Sequence, residues 1–199
     1  MPRAGLTPDL VVDHALGLID DEGPDALTLA GVATRAKVAA PSLYKHVPGG
    51  LAGLRRLVAI RVTGDLAARL QQATEGLRGD AAVAALLRAY HGYAIEHPHR
   101  YAALPQSPSG ADEPLIGAAT ALVGAIFRVL EDYGIADSEA VHAARTVRAL
   151  SHGFASLTIG GAFQLREDLE VTQERLIALL TSGLRAWPTG GKAAGSEGG

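Results

Sequence analysis

The 199-residue sequence contains no cysteine, and only 5% of its residues are aromatic. Without cysteine the chain can form neither a disulfide framework nor a thiolate metal site, which is consistent with a reducing cytoplasm. No N-terminal segment has the apolar core of a signal peptide, and no uninterrupted apolar run is long enough to span a bilayer. We therefore expect a cytoplasmic protein with no membrane partner.

The sequence also lacks the alternating runs of Val, Ile and Thr that predict β-strands. Hydrophobic residues nevertheless make up 48% of the chain, and alanine and leucine are abundant among them. Helices can pack closely through such small and aliphatic side chains. The composition therefore predicts an all-α fold, and the length allows a small domain together with a larger one.

Motifs of catalysis are missing as well, since the chain has neither a nucleophile elbow nor a phosphate-binding glycine loop. The acidic run at 20–22 fits the end of a helix better than a catalytic pair. His91, His97 and His99 invite interpretation as metal ligands. However, His91 and His97 fall on different faces of a helix, and neither has an acid four residues later. We expect no enzymatic activity, no cofactor and no metal site.

Residues 28–47 predict two short helices joined by a tight turn. Apolar residues recur at helical spacing over 29–36, where Thr28 can cap the N-terminus. The turn falls at 37–38, and a second helix covers about 40–46. Pro41 fits the first turn of that helix, where its missing N–H costs nothing. This pattern predicts a helix-turn-helix.

The second short helix carries polar side chains opposite the inward-facing Leu43. Ser42, Tyr44, Lys45 and His46 offer hydrogen-bond donors, an aromatic ring and a cation. Such groups can bind phosphates and base edges, so this face is a candidate for DNA contact. The alternative is an ordinary solvent-exposed polar helix.

Charge is distributed unevenly along a chain whose net charge is −3. Residues 26–61 hold six cations and no acid, whereas residues 1–25 hold six acids and one cation. A polyanion would be attracted to the 26–61 block and repelled by the remainder. The alternative is a chance cluster on a solvated face, because charge asymmetry alone is a soft signal.

A first helix is predicted from Pro8, capped by Thr7, to the break at Gly23-Pro24. Its apolar stripe should pack on the two short helices and complete a three-helix head. A long helix at about 51–73 then connects this head to a second, larger domain.

Asp80 can cap the helix that follows the long connector. Further helices are predicted at about 81–96, 100–104, 115–133, 138–159 and 169–186. Residues 105–114 should form a loop, 1–6 a mobile arm and 188–199 a disordered tail, because these stretches have little to bury.

Residues 10–58 resemble the DNA-binding head of the TetR (tetracycline-repressor) family of bacterial transcription regulators. The matching residues are Ala15, Gly23, Ala26, Leu27, Thr28, Leu29, Val32, Ala33, Val38, Pro41, Ser42, Leu43, Tyr44, His46, Val47 and Leu54. The segment ALSHGFASL at 149–157 resembles a C-terminal domain type found in one branch of the family. The resemblance implies a head at 1–50, a helical ligand-binding and dimerisation domain at 51–187, and a tail at 188–199.

Three departures from the family pattern fall in or beside the helix-turn-helix. Lys37 stands where the family usually has a turn glycine, Ala39 where a Ser or Thr cap is common, and Gly50 where a phosphate-binding lysine is common. DNA binding should therefore be weaker than in relatives. Arg55 and Arg56 can partly compensate if they reach the DNA backbone.

The resemblance also implies roles for individual residues in the head. Tyr44, Lys45 and His46 would contact phosphate or flanking bases, and Thr28 would bind phosphate through its hydroxyl. The first residues of the second helix would face base edges. The full set of expected DNA contacts is Thr28, Lys37, Ala40, Pro41, Ser42, Tyr44, Lys45 and His46.

A homodimer is expected from two patterns in the last helices. The small residues form a row at Ala149, Gly153, Ser156 and Gly160, and the apolar stripe comprises Leu169, Leu176, Ile177, Leu180 and Leu184. Two such helices from each subunit can form a four-helix bundle. The alternative is packing within one chain only.

The resemblance further implies a small apolar effector held among helices spanning 81–157, with the loop at 105–114 near an entrance. The candidate lining residues are Tyr90, His91, Tyr93, Tyr101, Phe127, His152 and Phe154. We therefore expect a repressor that a ligand releases from a palindromic operator, by a pivot of the helix at 51–73. The alternative is a helical small-molecule or partner-binding protein with weakened DNA affinity.

Overall fold

The computed structural model describes residues 6–105 and 112–188, and every regular element within these ranges is helical. The predicted all-α fold is therefore confirmed, while the arm at 1–5, the loop positions 106–111 and the tail at 189–199 lie outside the described residues. The helices are α1 (Pro8–Glu22), α2 (Leu29–Ala36), α3 (Ala40–Leu43), α4 (Gly50–Thr74), α5 (Gly79–Glu96), α6 (Pro98–Ala102), α7 (Glu113–Glu131), α8 (Asp137–Ile159) and α9 (Leu169–Arg185), with a short 3₁₀ turn at Pro24–Ala26 between α1 and α2.

The chain divides into two compact units. The first contains residues 1–67 and 96–121, and the second contains residues 68–95 and 122–199. The first unit thus holds the three short N-terminal helices, the first part of α4, and α6. Each unit is described separately below.

The first two helices of the head begin and end where the sequence predicts. The Thr7 hydroxyl accepts the Leu10 N–H over 3.2 Å, and Gly23 ends α1 with a φ of 88°. A proline follows directly, so the helix cannot continue. The inward side chains of α1 pack with those of α2 and α3 in one core, whose most buried members are Val11, Ala15, Ile19, Val32 and Leu43.

The helix α3 is shorter than predicted. It ends at Leu43, and the residues predicted to continue it to His46 form turns instead. The His46 N–H bonds to the Leu43 carbonyl three residues back, over 2.9 Å. Two features limit this helix: Ala39 supplies no side-chain cap, and the break at Pro48 follows too closely for propagation.

Ion pairs attach α6 and the start of α7 to the head within the first unit. Arg100 on α6 forms two hydrogen bonds with the Asp20 carboxylate on α1, of 2.8 and 2.5 Å. The neighbouring His99 donates from Nδ1 to the Asp20 carbonyl over 2.9 Å. Asp112 accepts two hydrogen bonds from Arg56 on α4, of 2.5 and 2.7 Å. Residues far apart in sequence therefore share one compact unit.

The predicted loop at 105–114 is too long at its C-terminal end, because α7 begins within it. Glu113 and Pro114 already lie in the first turn of α7. The Asp112 carboxylate accepts the Leu115 N–H over 3.3 Å, so this residue caps the helix. Proline is well placed in a first turn because no hydrogen bond is lost there.

In the second unit, the cap of α5 differs from the prediction. Asp80 lies inside the first turn rather than before it, and the Gly79 N–H donates to the Asp132 carboxylate over 2.7 Å. The Asp80 carboxylate instead accepts the Tyr133 hydroxyl over 2.8 Å and pairs with Arg185. The Asp132 carboxylate, from a distant part of the chain, therefore caps α5 in place of Asp80.

The stripe on α9 that was expected at a subunit interface lies largely inside the protomer. Ile177, Leu180 and Leu184 are buried within the second unit, where α9 packs against α8. Of the small-residue row, Ala149 and Ser156 on α8 and Gly160 directly after it are exposed. The remaining exposed apolar side chains of α9 are Val171 and Leu179.

Among the described helices, α7 alone combines a length and an apolar composition sufficient to cross a bilayer. Its most apolar window has a mean hydropathy of 1.5. Core helices of globular proteins can have the same length and apolar composition, so these two properties alone do not indicate a membrane span.

We expect Asp132→Ala to lower the free energy of unfolding by about 1 kcal/mol, the usual effect of losing an N-terminal cap. The neighbouring Glu131 is exposed, so Glu131→Ala serves as the matched control and should change stability by less than about 0.5 kcal/mol. Urea denaturation followed by far-UV circular dichroism measures both. Equal effects of the two substitutions would show that Asp132 does not cap α5.

Candidate nucleic-acid interface

The hydroxyl of Thr28 is placed both to start α2 and to bind an anion. It accepts the Gly31 N–H over 3.0 Å, which caps the helix. The side chain is exposed, and the hydroxyl hydrogen is still available to donate. A phosphate oxygen beside this helix start can accept that hydrogen and is also favoured by the helix dipole.

The turn between α2 and α3 depends on a lysine in a backbone conformation that favours glycine. Lys37, where the family usually has a turn glycine, has a φ of 55° and a ψ of 42°, in the left-handed region. The Val38 N–H bonds to the Ala33 carbonyl over 3.0 Å and closes the turn. A side chain in this region costs about 1 kcal/mol. This conformation places Lys37, an exposed cation, at the junction of the two helices.

The polar face of α3 and the following turn is open to solvent. Tyr44 is 59% exposed, and Pro41, Ser42 and Lys45 are exposed as well. Leu43, on the opposite side, is completely buried. Ala40 and His46 are half-buried, so they can offer only part of their surface. The structure thus presents most of the predicted contacts on one accessible surface.

Half of the cations in the 26–61 block are neutralised within the protein. Arg35 donates to Asp21 over 2.6 Å, and Arg61 donates to Asp13 and Asp9 over 2.8 and 3.0 Å. Carboxylates of α1 therefore neutralise much of the positive charge that was expected to attract a polyanion. An exposed ion pair is typically worth about 0–1 kcal/mol, so a phosphate has to compete with these carboxylates for each guanidinium.

Arg56 is the third paired cation of the block. Its hydrogen bonds to Asp112 raise the pKa of the guanidinium and lower the pKa of that carboxyl below its usual range. In the free protein Arg56 is therefore paired with Asp112. It is not directly available to take the place of the phosphate-binding lysine that is common in the family where this chain has Gly50.

Three cations of the block keep their charge available. Lys37, Lys45 and Arg55 are exposed, and none of them forms an ion pair with a residue that the structure describes. Lys37 and Lys45 flank α3 directly. These two lysines are therefore the cations best placed for phosphate contact beside the polar face.

The candidate ligand residues occupy varied environments. Tyr101 belongs to the first unit, and the other six belong to the second. Tyr90, Tyr93, Tyr101 and Phe154 are buried, His91 and Phe127 are half-buried, and His152 is exposed.

The second unit brings His91 and Phe154 together at a small cavity. Their ring centroids are 4.8 Å apart, with planes inclined by 38°. The accessible space beside them has a volume of only about 10 Å³, room for one water molecule at most. Its lining comprises Leu87, His91, Leu150, Ser151, Phe154, Gln173 and Leu176.

Of the seven predicted ligand residues, only His91 and Phe154 line this cavity. Gln173 and Leu176 come from α9, beyond the 81–157 range that was expected to hold the effector. Their spacing in the sequence signals only an amphipathic helix, so no pattern could have singled them out. A larger, open cleft elsewhere in this unit is lined by polar and charged residues such as Gln71, Glu75 and Arg78.

Comparison with known proteins identifies the family. The family model described as bacterial regulatory proteins, tetR family, matches residues 11–48, and the tetracyclin repressor-like C-terminal domain matches residues 83–180. The chain is 35% identical over 192 residues to the uncharacterized HTH-type transcriptional regulator Rv0681 of Mycobacterium tuberculosis, covering 96% of this chain and 87% of the relative. The chain belongs to the TetR family.

Solved structures show the same fold in other chains. A protein of unknown function from Rhodococcus sp. RHA1 superposes with a TM-score of 0.76 at 22% identity, covering 93% of this chain and 96% of that one. The TetR family protein ActR of Streptomyces coelicolor, solved in complex with actinorhodin, superposes with a TM-score of 0.68 at 20% identity, covering 92% and 97%. Both superpositions support the helical fold of this chain.

Membership of the TetR family makes the chain a DNA-binding transcriptional regulator. The family model at 11–48 covers the two short helices and the turn, where the exposed polar face lies. TetR proteins are regulators, and nothing positive points to enzymatic activity in this one.

We expect Lys45→Ala to weaken binding to any DNA duplex and to reduce the slope of log K against log salt by about 0.9, the contribution of one phosphate contact. Fluorescence anisotropy with a labelled duplex at several salt concentrations measures this slope. Arg61→Gln is the control, because Arg61 is held by Asp9 and Asp13 and should leave the slope unchanged. A slope that falls in Arg61→Gln but not in Lys45→Ala would contradict the assignment.

Proposed function

We propose that the chain is a repressor that binds a palindromic operator and is released from it by a small ligand. The observation that carries this proposal is the exposed polar face of α3 and its turn, opposite the buried Leu43, in a chain of the TetR family. The head at 1–50 would bind DNA in the cytoplasm, and the helical region at 51–187 would bind the ligand and the second subunit.

The N-terminal part of α3 would enter the major groove. Ala40 and Pro41 offer only apolar contact, for instance to a thymine methyl, whereas Ser42 can hydrogen-bond a base edge. Tyr44, Lys45 and His46 would contact phosphate or flanking bases, with Thr28 and Lys37 on the neighbouring backbone. Contacts to phosphate fix the register of the helix, and contacts to base edges select the sequence.

A homodimer would follow from the exposed faces of α8 and α9. Small residues such as Ala149 and Ser156 allow a second helix to approach closely, and Leu179 on α9 is 67% exposed. Burial of such apolar side chains in a second copy removes them from water. Twofold symmetry of the dimer then requires two half-sites at least one helical turn apart.

Ligand binding in the second unit would change the separation of the two heads and weaken operator binding. Coupling between two sites is typically worth about 1–3 kcal/mol, or 5–150-fold in affinity. ActR, which has a similar fold, was solved in complex with actinorhodin, and this supports a small-molecule ligand for the present chain. The effector favours the conformation that it binds better, and the DNA favours the other.

A second candidate function is a helical small-molecule or partner-binding protein whose head has weak DNA affinity. The masking of Arg35, Arg56 and Arg61 by carboxylates favours it, together with Ala39 and Gly50 in place of a cap and a lysine. A flat dependence of DNA binding on salt would support this alternative, because phosphate contacts impose a steep one.

The repressor proposal predicts sequence-selective binding to promoter DNA from the gene neighbourhood. Tyr44→Ala should weaken that binding at least about tenfold, or 1.4 kcal/mol, since it removes the most exposed aromatic of the face. Tyr44→Phe, which keeps the ring, should lose less. Gel-shift titrations against a scrambled duplex measure both, and binding indifferent to sequence would exclude a specific regulator.

The dimer proposal predicts that Leu179→Glu yields a monomer, because it places a charge in the apolar face. Leu165→Glu is the matched control: Leu165 is 83% exposed but lies outside α8 and α9. Sedimentation equilibrium gives the mass of each variant. A wild-type monomer, or a Leu179→Glu dimer, would contradict the proposed interface.

A further inference from the structure

A polar cleft in the second unit lies between the end of α4, the turn that follows it and the end of α7. Its volume is about 740 Å³, and every residue of its lining belongs to the second unit. Small-molecule sites typically measure about 300–1,000 Å³, so the cleft has room for a ligand with several functional groups. None of the seven residues expected to line an effector site belongs to this lining. The cleft is therefore a separate candidate site.

The turn that forms one wall of the cleft has a fixed backbone. The Leu77 N–H bonds to the Thr74 carbonyl over 3.1 Å, and Gly76 has a φ of 72°, a conformation that favours glycine. The Gly79 N–H bonds to the Asp132 carboxylate over 2.7 Å, which ties the end of this turn to the end of α7. Both walls are thus in place without a ligand, so little conformational entropy is lost when one binds.

Unpaired charges of both signs line the cleft. Arg128 is exposed and forms no ion pair with a residue that the structure describes. Glu75 and Glu131 are exposed as well, and neither has an ion-pair partner among residues 6–105 and 112–188. Arg78 and Asp132 form an ion pair over 3.3 Å, so their charges largely cancel. A ligand with charges of both signs can therefore pair with the cation and with the carboxylates.

Other charged ligands fit this lining less well. A polyanion would be repelled by the two free carboxylates, and like charges side by side are unfavourable. No group of three His, Asp or Glu side chains suited to a metal ion occurs in the described part of the chain. A zwitterion avoids both problems.

Two amide side chains add groups that both donate and accept hydrogen bonds. Gln71 and Gln72 are exposed, and within the described ranges neither side-chain amide is hydrogen-bonded. An amide can bond to the N–H and the C=O of a peptide group at once. Beside them Leu77 is 42% exposed and offers apolar surface to the carbon atoms between two peptide groups. The lining thus matches a short peptide.

We propose that this cleft binds a short peptide with both ends free. The carboxylate of the peptide pairs with Arg128, and its amino group pairs with Glu75 or Glu131. The amides of Gln71 and Gln72 bond to the peptide groups in between. This site is distinct from the DNA-contact surface, so it does not depend on the function proposed above.

Titration of the isotopically labelled full chain, followed by nuclear magnetic resonance, tests the ligand class with four probes that share one backbone. Triglycine carries both end charges, triglycine amide only the amino charge, acetyl-triglycine only the carboxylate, and acetyl-triglycine amide neither. Triglycine should bind most tightly and should shift the amide signals of Gly76 and Leu77. Because exposed ion pairs contribute little, each capped end should weaken binding about two- to fivefold.

Two outcomes of this titration would overturn the peptide site. One is equal affinity for all four probes, because the charges of the cleft would then play no part. The other is the absence of any shift at Gly76 and Leu77 up to the solubility limit of triglycine.

Substitutions of the charged residues locate the two ends of the peptide. Arg128→Gln should abolish the preference for triglycine over its amide but keep the preference over acetyl-triglycine. Glu75→Gln combined with Glu131→Gln should do the reverse. All three residues are exposed, so these variants should fold normally. Arg175→Gln, at an exposed position of α9 outside the cleft, is the control and should keep both preferences. A preference for the free carboxylate that persists in Arg128→Gln would overturn the assignment.

Discussion

The orientation of the polar face of α3 and its turn, the proposed DNA-contact surface, depends on the burial of Leu43. This side chain is completely buried with Ile19 and Val32, and it is the anchor of a helix only four residues long. So short a helix has little stability of its own, so tertiary packing must hold its orientation. Because Leu43 faces inward, Tyr44 and Lys45 face solvent. The left-handed turn at Lys37 supplies the change of direction that this burial requires.

Charge in the head is set by pairing rather than by composition. Residues 26–61 contain six cations and no acid, which by composition makes this block strongly positive. Acids from α1 and from the residue before α7 nevertheless neutralise three of the six. The same ion pairs serve a structural purpose, since they tie α4 and α2 to their neighbours. With the proposed DNA contacts, affinity would depend on few free cations, chiefly Lys37 and Lys45 beside α3.

The second unit shows the complementary case of a polar group left without a partner. Most buried polar groups of this chain are satisfied by local bonds, as the hydroxyls of Ser151 and Thr181 are. His91 Nε2 is an exception beside an apolar cavity. The space beside this atom measures only about 10 Å³, so a single ordered water is the largest partner that fits there.

The sequence by itself determined the helical class, most helix ends in the head and the polar face of α3 and its turn. These depend on local periodicity, caps and breakers, which act over a few residues. Only the tertiary structure decided which cations remain free, that Asp132 rather than Asp80 caps α5, and that α9 joins His91 and Phe154 at one cavity. Most of those contacts join residues about fifty or more positions apart, and no short-range pattern specifies which distant partners meet.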